Sequence, residues 1–382
     1  MRWGQSGFWK AFLPLIIYLD GMWFRHTGIG RIFANLLQGL VETEEVERIY
    51  TVIQLGSKRE FEKRFRSPKI DARFVDYPFD YREMLFKGLT IRGFHPKPDL
   101  YYFPSFNVPF FLGGRIISTV CDLIPLTPVF GLPWHVKARF RIAIRHAIGS
   151  SMKMVCISEF TKRHVMEEFG VAPDHIEVIY PPLHLPGEGE IEEVKRQRPL
   201  VDGDYLLYVG NRHVHKNVPC MLEALRILMS DVPGLRAVVA GTRMRRDDDV
   251  DAVLKDPVMR AKVIEFPEAT DEEIRNLHAH ARVFVFPTRI EGFGIPPLEA
   301  LSFGVPVVGS DIPVVREVCG NAIRYANSDD PADFARRIRE ALAEPHGEEA
   351  VRNGKERAWR YAEINSVARY LDLFRRSIHG NS

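Results

Sequence analysis

Two glutamates, Glu291 and Glu299, bracket EGFGIPPLEA at residues 291–300, and two cations, Arg212 and Lys216, stand in YVGNRHVHKN at residues 208–217. Proline is excluded from helix interiors but suits a first turn, so Pro296 and Pro297 predict the start of a helix that Gly304 closes. Glu291 then lies in the loop before that helix and Glu299 in its first turns. Gly292 and Gly294 leave the backbone between them free to bend and to present N–H groups. Helix N-termini attract anions, and a carboxylate accepts two hydrogen bonds from neighbouring sugar hydroxyls. Arginine adds a planar fork and lysine a mobile point charge, which together suit a diphosphate. Taken alone, Glu299 reads equally well as a helix-dipole complement and Glu291 as a solvated loop residue; the whole decapeptide points to a site.

Other chemistry-bearing residues are weaker. RHTGIGRIFANLL places Gly28 and Gly30 in a turn and Arg31 at a helix start, where backbone can approach a phosphate or sugar, or simply turn tightly. A dinucleotide fingerprint needs a third glycine where Phe33 stands, which argues against a dehydrogenase. His213 and His215 have no third ligand near them in sequence, and His278 and His280 diverge at i, i+2 spacing on a helix. Asp247 and Asp249 in RRDDDVDAV read as acidic complements of a helix start. No metal and no cofactor are expected.

Strands and loops must position these groups. Short apolar runs alternate with amphipathic stretches, the pattern of an α/β chain with parallel sheets. Strands are predicted at 14–20, 48–54, 115–120, 153–157, 176–180, 205–209, 235–240, 282–286 and 305–308. Helices are predicted at 30–41, 134–148, 159–169, 217–230, 271–280 and 297–303, with a helical tail over 347–379. YPPLHLPGEGE at 180–190 breaks the rhythm and is the expected linker. Two Rossmann-like, doubly wound domains follow, 1–185 and 186–364, with ligands expected in a cleft at the carboxyl ends of their strands. Residues 365–382 form a helix expected to return to the first domain, with Val367, Tyr370, Leu371 and Phe374 on one face.

Composition agrees: 382 residues, 46% hydrophobic and 27% charged, suit two globular domains. The net charge of +2 divides into 24 basic against 18 acidic residues up to residue 185 and 28 against 32 afterwards. Neither half is basic enough to suggest nucleic acid. Cys121, Cys156, Cys220 and Cys319 form no C-x-x-C pair, which fits a reducing cytoplasm. AFLPLIIYL is far short of the roughly 20 residues a membrane helix needs, and no signal-peptide cleavage site follows it.

On these motifs the sequence resembles the retaining glycosyltransferases of family 4, which have the GT-B fold. TGIGR resembles their N-terminal glycine loop, YVGNRHVHKN their Gly-x-Arg…Lys-Asn phosphate site, and EGFGIPPLEA their E-x7-E motif, in the family's order. The resemblance implies that Arg212 and Lys216 neutralise a donor diphosphate beside Gly210, Gly28 and Gly30. It gives Glu291 the hydroxyls of the transferred sugar, Glu299 the nucleotide ribose, and the backbone of Phe293, Gly294 and Ile295 contacts to sugar and phosphate. In TVCDLIPL the family's His-Asp is replaced by Cys121 and Asp122. Asp122 then orients substrate or the site is catalytically impaired, and a nucleophilic Cys121 has no adjacent histidine to support it. Pro267 stands where the base-contacting segment begins with glycine, leaving the base open.

The resemblance implies transfer of a hexose, best matched by mannose from GDP-mannose, to a glycan or lipid-linked acceptor in polysaccharide or lipopolysaccharide synthesis. The alternatives are a sugar-nucleotide-binding GT-B protein without turnover, or another GT-B sugar-nucleotide enzyme. WHVKARFRIAIRHAIGSSMKM at 134–154 interleaves Lys137, Arg139, Arg141 and Arg145 with apolar residues. With Trp3 and Trp9 it suggests peripheral binding to the cytoplasmic face of a membrane, against the alternative that its apolar face packs on the sheet.

Overall fold

The computed structural model describes residues 14–25, 27–77, 81–243, 248–343 and 348–380. The apolar runs become strands β1 (Leu15–Leu19), β2 (Val46–Gln54), β3 (Ile70–Val75), β4 (Leu100–Phe103), β5 (Ile116–Val120), β6 (Lys153–Cys156) and β7 (Ile176–Val178). They continue as β8 (Tyr205–Val209), β9 (Arg236–Ala240), β10 (Val263–Phe266), β11 (Val283–Phe286), β12 (Val307–Ser310) and β13 (Arg324–Ala326). One sheet has the order β3-β2-β1-β4-β5-β6-β7 and the other β10-β9-β8-β11-β12-β13. The pairings from β3 to β5, and all those of the second sheet, are parallel. In each, the first strand lies inside the sheet and the order reverses beside it, which is the doubly wound topology expected from the alternating pattern.

The chain divides into two compact units. One comprises the residues up to Thr119, Ala143–Val155 and those from Ser366 on; the other comprises Val120–Ile142 and Cys156–Asn365. In the first, Tyr18, Tyr50, Phe94 and Phe103 are buried together, with the Tyr50 and Phe94 rings stacked at 4.5 Å. Lys87 is fully buried beneath them. It donates to Asp20 Oδ2 at 2.9 Å, Glu83 Oε1 at 2.8 Å and the Asn107 carbonyl at 3.0 Å, so all three of its protons have acceptors. In the second unit, Leu222, Leu225, Phe334 and Ile338 from the helices Val218–Leu228 and Pro331–Ala343 cover Leu206, Val239 and Val285 of the sheet.

Three expectations change in detail. The helical tail is two helices, Glu348–Glu363 and Ser366–His379. The second lies in the first unit, where Tyr370 and Phe374 meet the Tyr102 ring at 5.2 and 5.5 Å. A Cβ on Gly39 would stand 2.5 Å from Val367, so the helix Thr27–Glu42 needs glycine there to approach it. The presumed linker gives way at Glu188 to a helix, Glu188–Arg196, whose Glu190 carboxylate accepts the Gly187 N–H at 2.8 Å. Finally, β3, β4, β10 and β13 are strands that the apolar pattern did not reveal.

Candidate active site

The site grows from the carboxyl ends of β8 and β11, the neighbours at which the second sheet reverses. After β8 the chain turns at Gly210, with φ 152°. Its N–H bonds the Ala240 carbonyl at 2.9 Å, and the Tyr208 hydroxyl donates to the Asn211 carbonyl at 2.7 Å. This turn delivers Arg212 inward, where its side chain is fully buried. Arg212 Nη2 pairs with Glu265 Oε1 at 2.8 Å, and its Nε and Nη1 have no hydrogen-bond partner among the described residues. A buried guanidinium with unspent donors fits an anionic ligand.

A single 3-10 turn, Val214–Lys216, ends on Asn217 in the left-handed region at φ 53°. The His215 carbonyl accepts the Arg289 N–H at 2.8 Å and the Thr288 hydroxyl at 3.1 Å, which ties this turn to the loop after β11. That tie brings Lys216 Nζ onto Glu291 Oε1 in a direct ion pair. The rings of His213 and His215 stack at 5.5 Å, and both lie 5.5 Å from the Phe130 ring. Burial, then the positive Lys216, then His213, push the His215 imidazole down to about 3. His213 is lowered too, by burial and Lys216. Both rings are therefore neutral packing residues. His278 is buried against Phe284 and Phe303, which makes it a core residue.

The depressed imidazole has a stability consequence. Unfolded, His215 takes a proton near its ordinary 6.5; folded, it resists until about 3. Its contribution is present above the unfolded value and is lost as pH falls through that window, on the order of 1.4 kcal/mol per pH unit. The unfolding free energy from urea titrations should thus fall less steeply between about pH 6.5 and pH 4 in His215→Asn than in the parent. Parallel slopes for the two would contradict the depressed value.

The loop after β11 carries Glu291, which is 8% exposed. A Cβ on Gly292 would stand 2.3 Å from the Cys121 carbonyl oxygen and 3.2 Å from Asp122 Cβ, so only glycine lets the two backbones meet. Ser158 Oγ donates to the Gly292 carbonyl at 2.7 Å, and Thr161 Oγ1 lies within 3.2 Å of the Cys121 carbonyl and 3.3 Å of the Gly292 carbonyl. Cys121 and Asp122 are thereby held beside Glu291. Burial pushes the Asp122 carboxyl above its usual range, and negative Glu291 adds to this. The Ile124 N–H, which it accepts at 3.0 Å, Lys216 and His164 pull the other way. Burial, with Asp122 next to it, also pushes the Cys121 thiol far up, so Cys121 is a neutral thiol and no nucleophile.

Gly294 caps the following helix at φ 104°, and Pro296 and Pro297 open that helix, Ile295–Ser302, as expected. The Phe293 ring packs between Tyr180 at 5.8 Å and Tyr361 at 5.4 Å, fixing the backbone that leads into the N-terminus. Glu299 sits half-buried in the second turn of the helix.

Gly28 and Gly30 are placed differently from the expectation of a turn: both lie inside the helix Thr27–Glu42, in its first turn. A Cβ on Gly30 would stand 2.2 Å from the Phe24 carbonyl, so its small size is a packing need, whereas a Cβ on Gly28 would meet nothing within 4 Å among the described residues. Phe33 is buried against Phe24 at 6.0 Å, which explains why no third glycine stands there. Asp247 and the Asp249 side chain, like Trp3 and Trp9, lie outside the described residues.

The sequence matches the family described as Glycosyltransferase Family 4 over residues 27–185 and that described as Glycosyl transferases group 1 over residues 190–358. The chain belongs to the family-4 glycosyltransferases. This glycosyltransferase is 26% identical over 390 residues to O-antigen chain mannosyltransferase B of Escherichia coli, covering 95% of this chain and 100% of that one. It is 28% identical over 203 residues, 53% of this chain and 54% of the relative, to O-antigen chain mannosyltransferase RfbU of Salmonella typhimurium. Its fold is similar to that of Anabaena HepE in complex with UDP and glucose, with a TM-score of 0.74 at 13% identity over 96% of this chain and 100% of that one. It is similar also to WaaG, a glycosyltransferase involved in lipopolysaccharide biosynthesis, with a TM-score of 0.67 at 16% identity over 96% and 100%. The fold of this glycosyltransferase is GT-B. The site as folded also includes residues the motifs did not name. Glu265 was signalled by a carboxylate inside the apolar run VIEF, and Ser158 by its place before the helix Glu159–Phe169, whose Thr161 N–H it caps at 3.0 Å.

Proposed function

We propose that this glycosyltransferase moves mannose from GDP-mannose, with retention of configuration, onto a glycan or lipid-linked acceptor during polysaccharide or lipopolysaccharide synthesis. The observation that carries the donor half is the buried Arg212, with unspent N–H donors, on the same sheet edge as the Lys216–Glu291 pair. The sugar is supported by the mannosyltransferase relatives. Lys216 and Arg212 stabilise charge developing on the leaving diphosphate, backed by the N-terminus of the helix Ile295–Ser302. Glu291 holds the sugar hydroxyls, Glu299 the ribose, and Asp122 orients the reacting sugar or acceptor. Bond cleavage at the anomeric carbon sends the electron pair to the diphosphate oxygen, which takes the proton of the incoming acceptor hydroxyl on the same face. No side chain need act as a dedicated base.

A turnover screen of GDP- and UDP-sugars with polyprenyl-linked acceptors tests this. GDP-mannose should give acceptor-dependent GDP release that survives excess EDTA, because the two cations do the work of a metal. Preference for another nucleotide sugar would overturn the donor assignment. Rate loss restored only by Mg²⁺ or Mn²⁺ would overturn the metal-free one.

The acceptor reading includes peripheral contact with the cytoplasmic face of a membrane. No helix among the described residues is long and apolar enough to cross a membrane. In the helix Trp134–Ser150, Ile144 and Ala147 are buried while Trp134 is 80% and Ile142 61% exposed. Basic residues spread among exposed apolar ones favour anionic lipid, each contributing on the order of 1 kcal/mol near the surface. In vesicle sedimentation at low salt, the protein should pellet with anionic vesicles and be released as salt rises. Equal recovery in the supernatant with neutral and anionic vesicles would contradict it.

A further inference from the structure

The Gly-x-Arg turn after β8 has a neighbour of the same design. After β9 the chain reads Gly241, Thr242, Arg243, and Gly241 takes φ 131° as Gly210 takes 152°. The two turns touch: a Cβ on Gly241 would stand 2.1 Å from the Gly210 carbonyl oxygen. Both arginines then converge on one atom, Glu265 Oε1, Arg212 through Nη2 at 2.8 Å and Arg243 through Nε at 3.8 Å. Arg260 holds the other oxygen, Oε2, at 2.5 Å. Arg243 also contacts Asp251, so among the described residues three guanidiniums share two carboxylates. Arg212 is buried with its Nε and Nη1 donors unspent, while Arg243 is half-exposed. The pair therefore runs from the interior of the sheet edge out to solvent.

We propose that Arg243 is a second guanidinium of the donor site, binding the phosphate chain of a nucleoside diphosphate alongside Arg212, and that Glu265 Oε1 is the shared post that sets the two forks side by side. The inference rests on reading the end of β8 as the donor's diphosphate site. Parallel strands end on the same edge of their sheet, so neighbouring turns of one design present their side chains to one ligand. A diphosphate offers acceptor oxygens on two phosphorus atoms, and two guanidiniums match it better than one. Arg260, on the far oxygen of Glu265, belongs to the support and not to the ligand face.

Calorimetric titration of GDP, UDP and GMP into the full chain tests this, with Arg243→Ala, Arg243→Lys, Arg339→Ala and Lys216→Ala beside the parent. Arg243→Ala should weaken the preferred nucleoside diphosphate about tenfold or more at low salt, and GMP less, as expected for a charge-assisted bond to the second phosphate. Because Arg243 is half-exposed, the gap should narrow as salt rises. Arg243→Lys should recover part of the loss, and Arg339→Ala, which removes a cation paired with Asp231 away from this cluster, should bind within about twofold of the parent, which a general loss of positive potential would not allow. Parent-like affinity in Arg243→Ala together with weakened binding in Lys216→Ala overturns the role of Arg243 and leaves the diphosphate reading standing. A parent that binds UDP but not GDP leaves Arg243 tested on UDP and removes the mannosyl donor. A parent that binds neither nucleoside diphosphate overturns both.

Discussion

Replacing Lys216 with alanine is expected to lower kcat/KM by about 10²–10³-fold, the usual cost of removing one donor to a developing anion. The geometry makes the loss larger than that of one surface charge. Lys216 Nζ pairs directly with Glu291, and the two side chains are only 18% and 10% exposed. Without the ammonium, Glu291 is left near Asp122, and two carboxylates then face each other in a poorly solvated place. The variant thus loses the counter-charge for the leaving diphosphate and misplaces the group that holds the sugar. Initial rates at varied donor should show both a raised KM and a lowered kcat, with a cooperative thermal transition proving that the fold survives. Parent-like kcat/KM would remove Lys216 from the site.

The second large effect is steric. Gly292→Ala places a methyl group 2.3 Å from the Cys121 carbonyl, and the obstacle is backbone, which cannot rotate aside. The loop is also pinned from the other side, because Ser158 and Thr161 hold the Gly292 carbonyl. Relief requires moving either Glu291 or the Cys121–Asp122 segment. Displacements near 1 Å at a reacting centre cost about 10²-fold in rate, and overpacking of this kind costs about 1–3 kcal/mol of stability. Activity should therefore fall by about two orders of magnitude in a protein that still folds. An alanine variant with the parent's rate would show that this junction does not set the geometry of the reaction.

What could be read from the sequence follows the physics of each residue. Strands such as β8 and β11 are continuous apolar runs because both sheet faces are covered, and their loops carried proline and glycine signals strong enough to place Glu291, Gly294 and Glu299. β3, with IDARFV, and β13, with RYA, were hidden because edge strands are half-solvated and keep charged residues. Arg212 and Lys216 were legible from position after a strand. Their partners were not, since Glu265 meets Arg212 only once β9 and β10 pair beside β8. The same holds for Gly292, whose size is dictated by a carbonyl 171 positions earlier in the chain. His213 and His215 stood in the sequence as a histidine pair with no third ligand nearby, and nothing local said what they do. The aromatic stack with Phe130 shows them to be neutral packing groups.

Retaining mannosyl transfer from a nucleoside diphosphate sugar is recorded in the anomeric configuration of the product. The enzyme is incubated with GDP-α-mannose and a polyprenyl-linked acceptor, and the glycan formed is examined by NMR for the configuration at the new linkage. An α-mannosyl product formed together with one equivalent of GDP is expected. A β-linked product, or GDP release with no mannose on any acceptor, would contradict it.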